Sequence, residues 1–266
     1  MKKRLVILLL ALMGMGVSAM AYNNTYAIII GVADYKNFSA YEGDLSYTVS
    51  DAMRFAAFLK SPKGGSVPAI NICLLVDSQA NKANIIAKGK ALFAKAKKDD
   101  RVIFFFSGHG DRGCFLPWDA TEYGGNLLDF SDVKAIFRAA KCDTKLLFAD
   151  ACFAGSMRGN DGRTNFHRND GGGRNNSSNM NIAVMMSCKD NETSLEAPDL
   201  HQGLFTYYLM KGLAGEANPD HNRFVTIQEL YYYVYHKVKD DAARRNHSQT
   251  PDLFGNFNLG LIVAKV

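Results

Sequence analysis

The sequence lacks the features that would place it outside the ordinary globular classes. Beyond the N-terminus it has no apolar run of about 18 residues or more, which excludes a multispanning membrane protein. Its 23 glycines follow no triplet period, which excludes a collagen-like chain. With 47% hydrophobic residues it is too apolar to be disordered. The 266 residues therefore suit a globular protein that buries a large core.

Paired cysteines of the kind that bind metals are also missing. No two of the five cysteines form a C-x-x-C pair, and their odd number leaves at least one thiol free or paired between chains. A core of this size does not depend on disulfide bonds. One cysteine can therefore have a chemical reason to stay reduced. The five are Cys73, Cys114, Cys142, Cys152 and Cys188.

The excess of positive charge is small and lies mostly at the N-terminus. Residues 2–4 are Lys-Lys-Arg, residues 5–13 are entirely apolar, and Ala-Met-Ala at 19–21 suits a signal peptidase. We predict a signal peptide over residues 1–21 and a mature domain over 22–266 that is secreted or periplasmic, with a retained anchor as the alternative. Removing the signal peptide lowers the formal net charge from +5 to +2. We therefore expect no membrane association after its removal.

Apolar runs alternate with helical periodicities along the chain. Strands are predicted at 26–31, 70–76, 101–107, 145–150, 182–187 and 259–263. Helices are predicted at 50–59, 81–97, 131–140, 202–213 and 227–238. This alternation predicts an α/β fold, a single domain with a mostly parallel six-stranded sheet and helices on both faces.

One segment interrupts this alternation. Residues 155–181 contain six Gly, seven Asn and four Arg, with almost no apolar side chain. Such a segment cannot bury enough surface to offset the entropy of ordering it, so we expect a flexible loop over residues 154–181. The arginines of this loop are accompanied by a single phenylalanine, whereas nucleic-acid binding favours arginines clustered beside aromatic residues. We therefore expect no nucleic-acid partner.

Two predicted strand ends carry reactive side chains. Ser107-Gly108-His109-Gly110 ends the third strand, and Asp150-Ala151-Cys152-Phe153-Ala154-Gly155 ends the fourth. Consecutive strands are usually neighbours and ligands bind at their carboxyl ends, so we expect His109 and Cys152 to face each other. Such a pair is a nucleophile with its base, and the Gly110 N–H would help to bind an oxyanion. Taken singly, each side chain is more often an ordinary core residue.

These two segments resemble the histidine and cysteine motifs of the caspase-like peptidases, and the metacaspase branch in particular. Residues 186–196 and 203–207 are similar to the region that opens the small subunit of those enzymes, so the resemblance covers about residues 25–265. It implies a caspase-like cysteine endopeptidase that is monomeric and needs no metal or organic cofactor.

The resemblance also implies a role for each motif residue. His109 would be the general base and acid, Cys152 the nucleophile, and the N–H groups of Gly110 and Cys152 the oxyanion donors. The acids that follow the histidine motif are scattered rather than clustered as in calcium-dependent metacaspases, and Gly159 stands where those enzymes have another acid. We therefore expect no metal site, with calcium activation as the open alternative.

Acidic residues predict the substrate class. Asp150 stands two residues before the cysteine, where the caspase signature has Gln, and an acid there suits a basic side chain. By the same resemblance, Asp51 at the start of the first helix and Ser107 line the same pocket. We predict protein or peptide substrates cleaved after Arg or Lys and not after Asp. The alternatives are a helix-terminal charge for Asp51 and a structural strand-end residue for Asp150.

The arginines of the 154–181 loop suggest self-cleavage, because caspase-like enzymes carry their inter-subunit linker at this place. The candidates are Arg158, Arg163, Arg168 and Arg174. The alternative is a surface loop whose arginines keep it soluble. For the whole chain, the alternative is a catalytically silent caspase-like domain that binds a partner, although such a domain would have no need of Cys152 and His109.

Overall fold

The structure is a computed structural model that describes residues 22–38, 44–111, 113–121, 123–151, 182–189 and 191–266. The predicted signal peptide, Cys152 and the 154–181 loop with its four arginines lie outside these residues. In the part of the chain that is described, no helix is long and apolar enough to cross a membrane.

Short strands and helices alternate along the chain, as the periodicities predict. The strands are β1 (Thr25–Gly31), β2 (Ile72–Val76), β3 (Arg101–Ser107), β4 (Gly110–Asp111), β5 (Cys114–Phe115), β6 (Leu128–Asp129), β7 (Thr144–Asp150), β8 (Ile182–Met186), β9 (Glu196–Ala197), β10 (Gln202–Gly203), β11 (Phe224–Thr226), β12 (Asp252–Gly255) and β13 (Ile262–Lys265). The α-helices are α1 (Thr48–Lys60), α2 (Lys82–Phe93), α3 (Phe130–Arg138), α4 (Leu204–Lys211) and α5 (Ile227–Arg244).

Six of these strands form the central sheet, in the order β12-β8-β7-β3-β1-β2. All neighbours are parallel except β12, which runs antiparallel to β8 at one edge. The register sets Ser107 of β3 opposite Asp150 of β7. The predicted fold class is therefore confirmed, and the two strand ends that carry the motifs lie side by side.

Helices cover both faces of the sheet, and the middle strand shows why. Every residue of β3 is buried, and its side chains alternate between two hydrophobic clusters. Phe104 and Phe106 join the cluster that includes residues of α2 and α3. Ile103 and Phe105 join the cluster that includes residues of α1, α4 and α5. A strand buried on both sides gives the continuous apolar run that was read from the sequence.

The prediction for the last strand of the sheet was wrong. Residues 259–263 were expected to form it, whereas β13 pairs with β11 in a separate two-stranded sheet. The sixth strand is β12, which the sequence pattern missed. As an antiparallel edge strand it is buried only at alternate residues, so it has no continuous apolar run to reveal it.

Two helix ends differ from the expected ones by more than two residues. Helix α2 ends at Phe93 rather than at 97, because the chain must turn before β3, where the Asp100 side chain accepts a hydrogen bond from the Lys97 N–H at 2.8 Å. Helix α5 continues to Arg244 rather than ending at 238, because Asp241 and Ala242 extend its buried face by another turn.

Candidate active site

A narrow cavity opens at the carboxyl ends of β3 and β7. Residues distant in sequence line it, among them Asp51, Ser107, His109, Asp150 and Gly203. The cavity therefore brings together four residues that the sequence predicted for the site and one that it did not. It also lies at the sheet edge where parallel α/β folds bind ligands.

Asp51 is placed by α1, whose apolar face packs on the sheet. Its carboxylate is 1% exposed and points toward the end of β3. The Ser107 hydroxyl donates to Asp51 Oδ2 at 3.0 Å, and the Gly203 N–H donates to Oδ1 at 3.0 Å and Oδ2 at 3.2 Å. Asp51 therefore accepts hydrogen bonds from β3 and β10 across the cavity, and its role is not limited to a charge at the start of its own helix.

Asp150 is the last residue of β7 and is 5% exposed. The Thr206 N–H donates to its Oδ2 at 3.1 Å and the Thr206 hydroxyl at 2.7 Å, while the Ser194 hydroxyl donates to Oδ1. Thr206 belongs to the first turn of α4, where N–H groups have no partner within the helix and carry partial positive charge. The N-terminus of α4 thus holds the carboxylate in place.

Gly203 lies between the two carboxylates and has to be glycine. A Cβ atom at this position would lie 2.3 Å from Asp150 Oδ2 and 2.8 Å from Asp51 Oδ2, well inside van der Waals contact. The missing side chain therefore lets both acids approach the same point of the backbone. Sequence reasoning did not single out this glycine, although it begins a segment that the family resemblance covers.

The pKa values of the two buried carboxylates are both raised. Burial first, and then the charge of Asp150, raise the pKa of Asp51 well above its ordinary value. Burial also raises the pKa of Asp150, although the hydrogen bonds from Ser194 and Thr206 oppose this. Among the ion pairs of the described residues, none includes either acid. The pair therefore favours any group that brings positive charge into the cavity.

Glu196 adds a third carboxylate to the cavity wall. Its side chain accepts hydrogen bonds from the Ser46 N–H at 3.0 Å and the Tyr47 N–H at 2.7 Å. These contacts fasten the segment before α1 to the loop that carries Ser194. In the sequence, Glu196 is the last residue of a segment that resembles the family, and no local pattern indicated a role for it.

His109 follows β3 and lines the same cavity. Its backbone N–H donates to the Tyr35 hydroxyl at 2.7 Å, its backbone carbonyl accepts from the Leu116 N–H at 3.0 Å, and the His109 and Tyr35 rings lie 5.0 Å apart. Gly108 is needed beside it, because a Cβ there would lie 2.8 Å from the Tyr35 hydroxyl oxygen. Gly110 begins β4, directly after His109. The histidine is therefore held at both of its backbone polar groups.

The residue before Cys152 is equally well fixed. Ala151 lines the cavity, its N–H donates to Ser187 Oγ at 3.1 Å, and the Ser187 hydroxyl donates to the Ala151 carbonyl at 3.0 Å. Cys152 itself, predicted as nucleophile and oxyanion donor, lies outside the described residues, as do Gly159 and the candidate self-cleavage sites Arg158, Arg163, Arg168 and Arg174.

The other cysteines have surroundings that suit structural thiols. Burial raises the pKa of Cys114 and of Cys142 to about 11, so both stay protonated at neutral pH. Burial also raises the pKa of Cys73. None of the four described cysteines forms a disulfide with another described one. Within the described ranges, no group of three His, Cys, Asp or Glu side chains is arranged to hold a metal ion.

Comparisons with known proteins point to one family. A sequence profile described as the caspase domain, peptidase family C14, matches residues 24–258. A protein named as a probable protease from a Desulfuromonadales bacterium is 26% identical over 48% of this chain. The matched part spans only 18% of that relative's own length.

Solved structures show the same fold at low identity. Caspase-1 from Spodoptera frugiperda is similar with a TM-score of 0.61 and 14% identity, over 92% of this chain and 91% of its own. A Geobacter sulfurreducens protein is similar with a TM-score of 0.58 and 17% identity, over 89% of this chain and 94% of its own. Since the profile covers nearly the whole described domain, the chain belongs to the caspase domain family of cysteine peptidases.

Proposed function

We propose that this protein is a cysteine endopeptidase of the metacaspase type that cleaves peptide bonds after arginine or lysine. The observation that carries this proposal is the pair of buried carboxylates, Asp51 and Asp150, beside His109 in one cavity. A guanidinium or ammonium group relieves the repulsion between the two acids, whereas an acidic side chain adds to it. Ser107 contributes its hydroxyl to the same wall.

Catalysis would follow the usual order of a cysteine–histidine pair. His109 takes the proton of the Cys152 thiol, and the thiolate attacks the carbonyl carbon of the scissile bond. The N–H groups of Gly110 and Cys152 bind the oxyanion that forms. The intermediate then expels the amine, which takes its proton from His109. Water, deprotonated by His109, attacks the remaining thioester, and the C–S bond breaks to release the carboxyl product and the Cys152 thiolate, which regains its proton from His109. None of these steps requires a metal or an organic cofactor.

Peptides ending in Arg, Lys or Asp before a fluorogenic group test this function directly. We expect turnover of the Arg and Lys peptides, none of the Asp peptide, and complete loss in Cys152→Ala and after thiol alkylation. Parallel reactions with calcium and with a chelator measure any calcium activation. If the loop-processed protein turned over none of the basic peptides, the domain would be a silent binding module and the proposal would be wrong.

We also propose that the enzyme cuts its own 154–181 loop, whose four arginines would be the nearest basic substrates. Purified protein and its Cys152→Ala variant are incubated side by side and analysed by mass. We expect fragments ending at Arg158, Arg163, Arg168 or Arg174 from the active protein only. Two uncut chains would contradict self-processing without affecting the peptide assay.

Export is the remaining part of the proposal, and it rests on the charge and apolar pattern of residues 1–21. We expect a secreted or periplasmic monomer whose first residue is Tyr22. N-terminal sequencing of the protein expressed with its full leader tests the cleavage point, and light scattering tests the monomer. A protein that still began at Met1 would contradict cleavage of the leader, and its recovery in the cytoplasmic fraction would contradict export.

A further inference from the structure

We propose that Gln249 is a positioning residue that links the substrate pocket to the segment carrying the nucleophile. This inference rests on the proposed function, because it explains how the pocket is kept ready for a basic side chain. Gln249 lies in the loop between α5 and β12, and none of the sequence patterns pointed to it.

The Gln249 side chain is 1% exposed, and its hydrogen bonds go to two residues of the cavity wall, Ser194 and Leu195, and to Ser187. Its Nε2 donates to the Ser187 carbonyl and to Ser194 Oγ, each at 3.1 Å, and its Oε1 accepts from the Leu195 N–H at 3.0 Å. The chemistry of these partners fixes the amide orientation. A carbonyl oxygen can only accept and an N–H can only donate, so a flipped amide would lose both bonds.

The first consequence concerns Asp150. A serine hydroxyl has one hydrogen, and Ser194 Oγ already accepts from Gln249, so its own hydrogen is directed to Asp150 Oδ1. A donated hydrogen bond stabilises the ionised carboxylate, the form that binds a cation. Gln249 thus sets the direction of the Ser194–Asp150 bond.

The second consequence concerns the nucleophile segment. Gln249 holds the Ser187 carbonyl, and the hydroxyl of the same serine bonds to both the N–H and the carbonyl of Ala151. Ala151 directly precedes Cys152 in the chain. One buried amide therefore ties the carboxylate that selects the substrate to the peptide unit before the nucleophile.

The loop that carries Gln249 has a second anchor. Glu192 binds the same loop independently, accepting from the Thr250 N–H at 2.6 Å, the Thr250 hydroxyl at 2.9 Å and the Ser248 hydroxyl at 3.0 Å. Replacing Gln249 should therefore leave the loop in place while changing the hydrogen bonds of Ser194 and Ser187. This separation allows positioning to be distinguished from simple stabilisation.

Gln249→Glu is the sharpest test, because it keeps the shape and the acceptor for Leu195 but removes both donated bonds. Its carboxylate would take the Ser194 hydrogen away from Asp150. We expect KM for an Arg peptide to rise about tenfold, the scale of a lost hydrogen bond to a charged group, and the acid limb of kcat/KM to move to higher pH. The control is Gln228→Glu, the same change at an exposed position of α5, which should alter neither.

Ser194→Ala gives the second measurement. We expect it to raise KM with little change in kcat, and the double variant with Gln249→Glu to be no worse in KM than Gln249→Glu alone, because both act through one bond to Asp150. If Gln249→Glu fails to melt cooperatively, Gln249→Met takes its place. It removes the donors to Ser194 and Ser187 without adding an acceptor that competes with Asp150, so the expected rise in KM is smaller, about three- to fivefold.

Two results would overturn the inference while leaving the proposed function intact. One is a folded Gln249→Glu protein whose KM stays within about twofold of the wild type, where the expected loss is about tenfold. The other is a double variant in which the two effects on KM multiply, as they do for independent sites. Failure of the wild type to cleave any basic peptide is a different result. It would refute the proposed function, and the role of Gln249 with it.

Discussion

Replacing Asp51 with asparagine should change stability and activity in opposite directions. The substitution keeps the side-chain shape. Its Oδ1 can still accept from the Gly203 N–H, and its amide can donate to the Ser107 hydroxyl in place of the present bond. It removes one of two buried negative charges that lie close together. A purely structural acid at the start of a helix would behave differently, so this variant separates the two interpretations of Asp51.

The geometry around Gly203 gives the magnitude of the repulsion between the two carboxylates. Since a Cβ at that position would lie 2.3 Å from one Oδ2 and 2.8 Å from the other, the two carboxylate oxygens are at most about 5 Å apart, the sum of those distances. Two unit charges at about 5 Å in an effective dielectric of about 20 repel by about 3 kcal/mol. Because a proton can relieve part of this repulsion, we expect the variant to gain about 1–3 kcal/mol in unfolding free energy at pH 7.

The direction of the Asp51 pKa shift determines how the stability of the wild type and of Asp51→Asn depends on pH. The pKa of Asp51 is raised in the folded protein, so the folded state holds a proton more tightly than the unfolded state does. Wild-type stability therefore falls as the pH rises from the ordinary carboxyl pKa through the raised one. The gain of Asp51→Asn should be full above the raised pKa and should vanish below about pH 4, where the group is protonated in both states.

Activity should fall while stability rises. Loss of one of two charges facing a buried cation costs about 2–4 kcal/mol, which lowers kcat/KM for Arg peptides by about 30- to 1000-fold. Urea unfolding at pH 7 and pH 4, in a Cys152→Ala background that prevents self-cleavage, measures the first effect. Peptide kinetics in the active background measure the second.

The matched control is Asp132, an acid in the first turn of α3 that accepts from the Asp129 N–H and pairs with Lys82. Asp132→Asn should lose about 0.5–1 kcal/mol of stability and leave kcat/KM unchanged, as expected for a helix-terminal charge. If Asp51→Asn behaved in this way, the two carboxylates would not form a charge pair built for a cation, and the reasoning would be refuted.

Three further variants or conditions test the rest of the site. Gly203→Ala should lower kcat/KM for Arg peptides about 100-fold or more, because its methyl group would collide with both carboxylates. Peptide kinetics measure this loss of activity, and a thermal melt shows whether the loss of stability exceeds the roughly 1–3 kcal/mol that is typical of overpacking. In the wild type, KM for Arg peptides should increase as the pH falls, and this increase should begin at a pH above the ordinary carboxyl pKa, because burial and Asp150 raise the pKa of Asp51. A KM that stayed constant down to about pH 4 would contradict this. Burial alone would raise the pKa of Glu192, yet its hydrogen bonds from Thr250 and Ser248 outweigh burial and lower it. Glu192→Gln should therefore lose about 1 kcal/mol at pH 7, and this difference, measured by urea unfolding, should shrink as the pH falls through the ordinary carboxyl range toward the lowered pKa.

The sequence predicted those parts of the fold whose cause is local. β1, β3 and β7 are buried along nearly their whole length, so each appears as an uninterrupted apolar run. β12 could not be found in this way, because its place depends on the exposed edge of β8 and not on its own composition. A strand was expected close to β13, but its pairing with β11 in a separate sheet could not be predicted, because β11 lies far along the chain.

The site was predicted to the extent that its residues fall at strand ends. Ser107, His109 and Asp150 end or follow β3 and β7, and the register places Ser107 and Asp150 side by side. Gly203 and Thr206 were missed because their roles arise only when α4 is brought to the sheet. The bond from Gly203 to Asp51 spans 152 residues of sequence, and no local pattern could reveal it.

The pocket shows why these distant contacts are necessary. Burying two carboxylates together destabilises the empty domain, and the charged forms persist only if donors compensate for the lost water. The Gly203 N–H and the Ser107 hydroxyl serve Asp51, while Thr206 and Ser194 serve Asp150. All of these donors are neutral, so they solvate the carboxylates without cancelling their charge. The remaining negative potential is therefore available to a cation, and the proposed preference for a basic side chain rests on it.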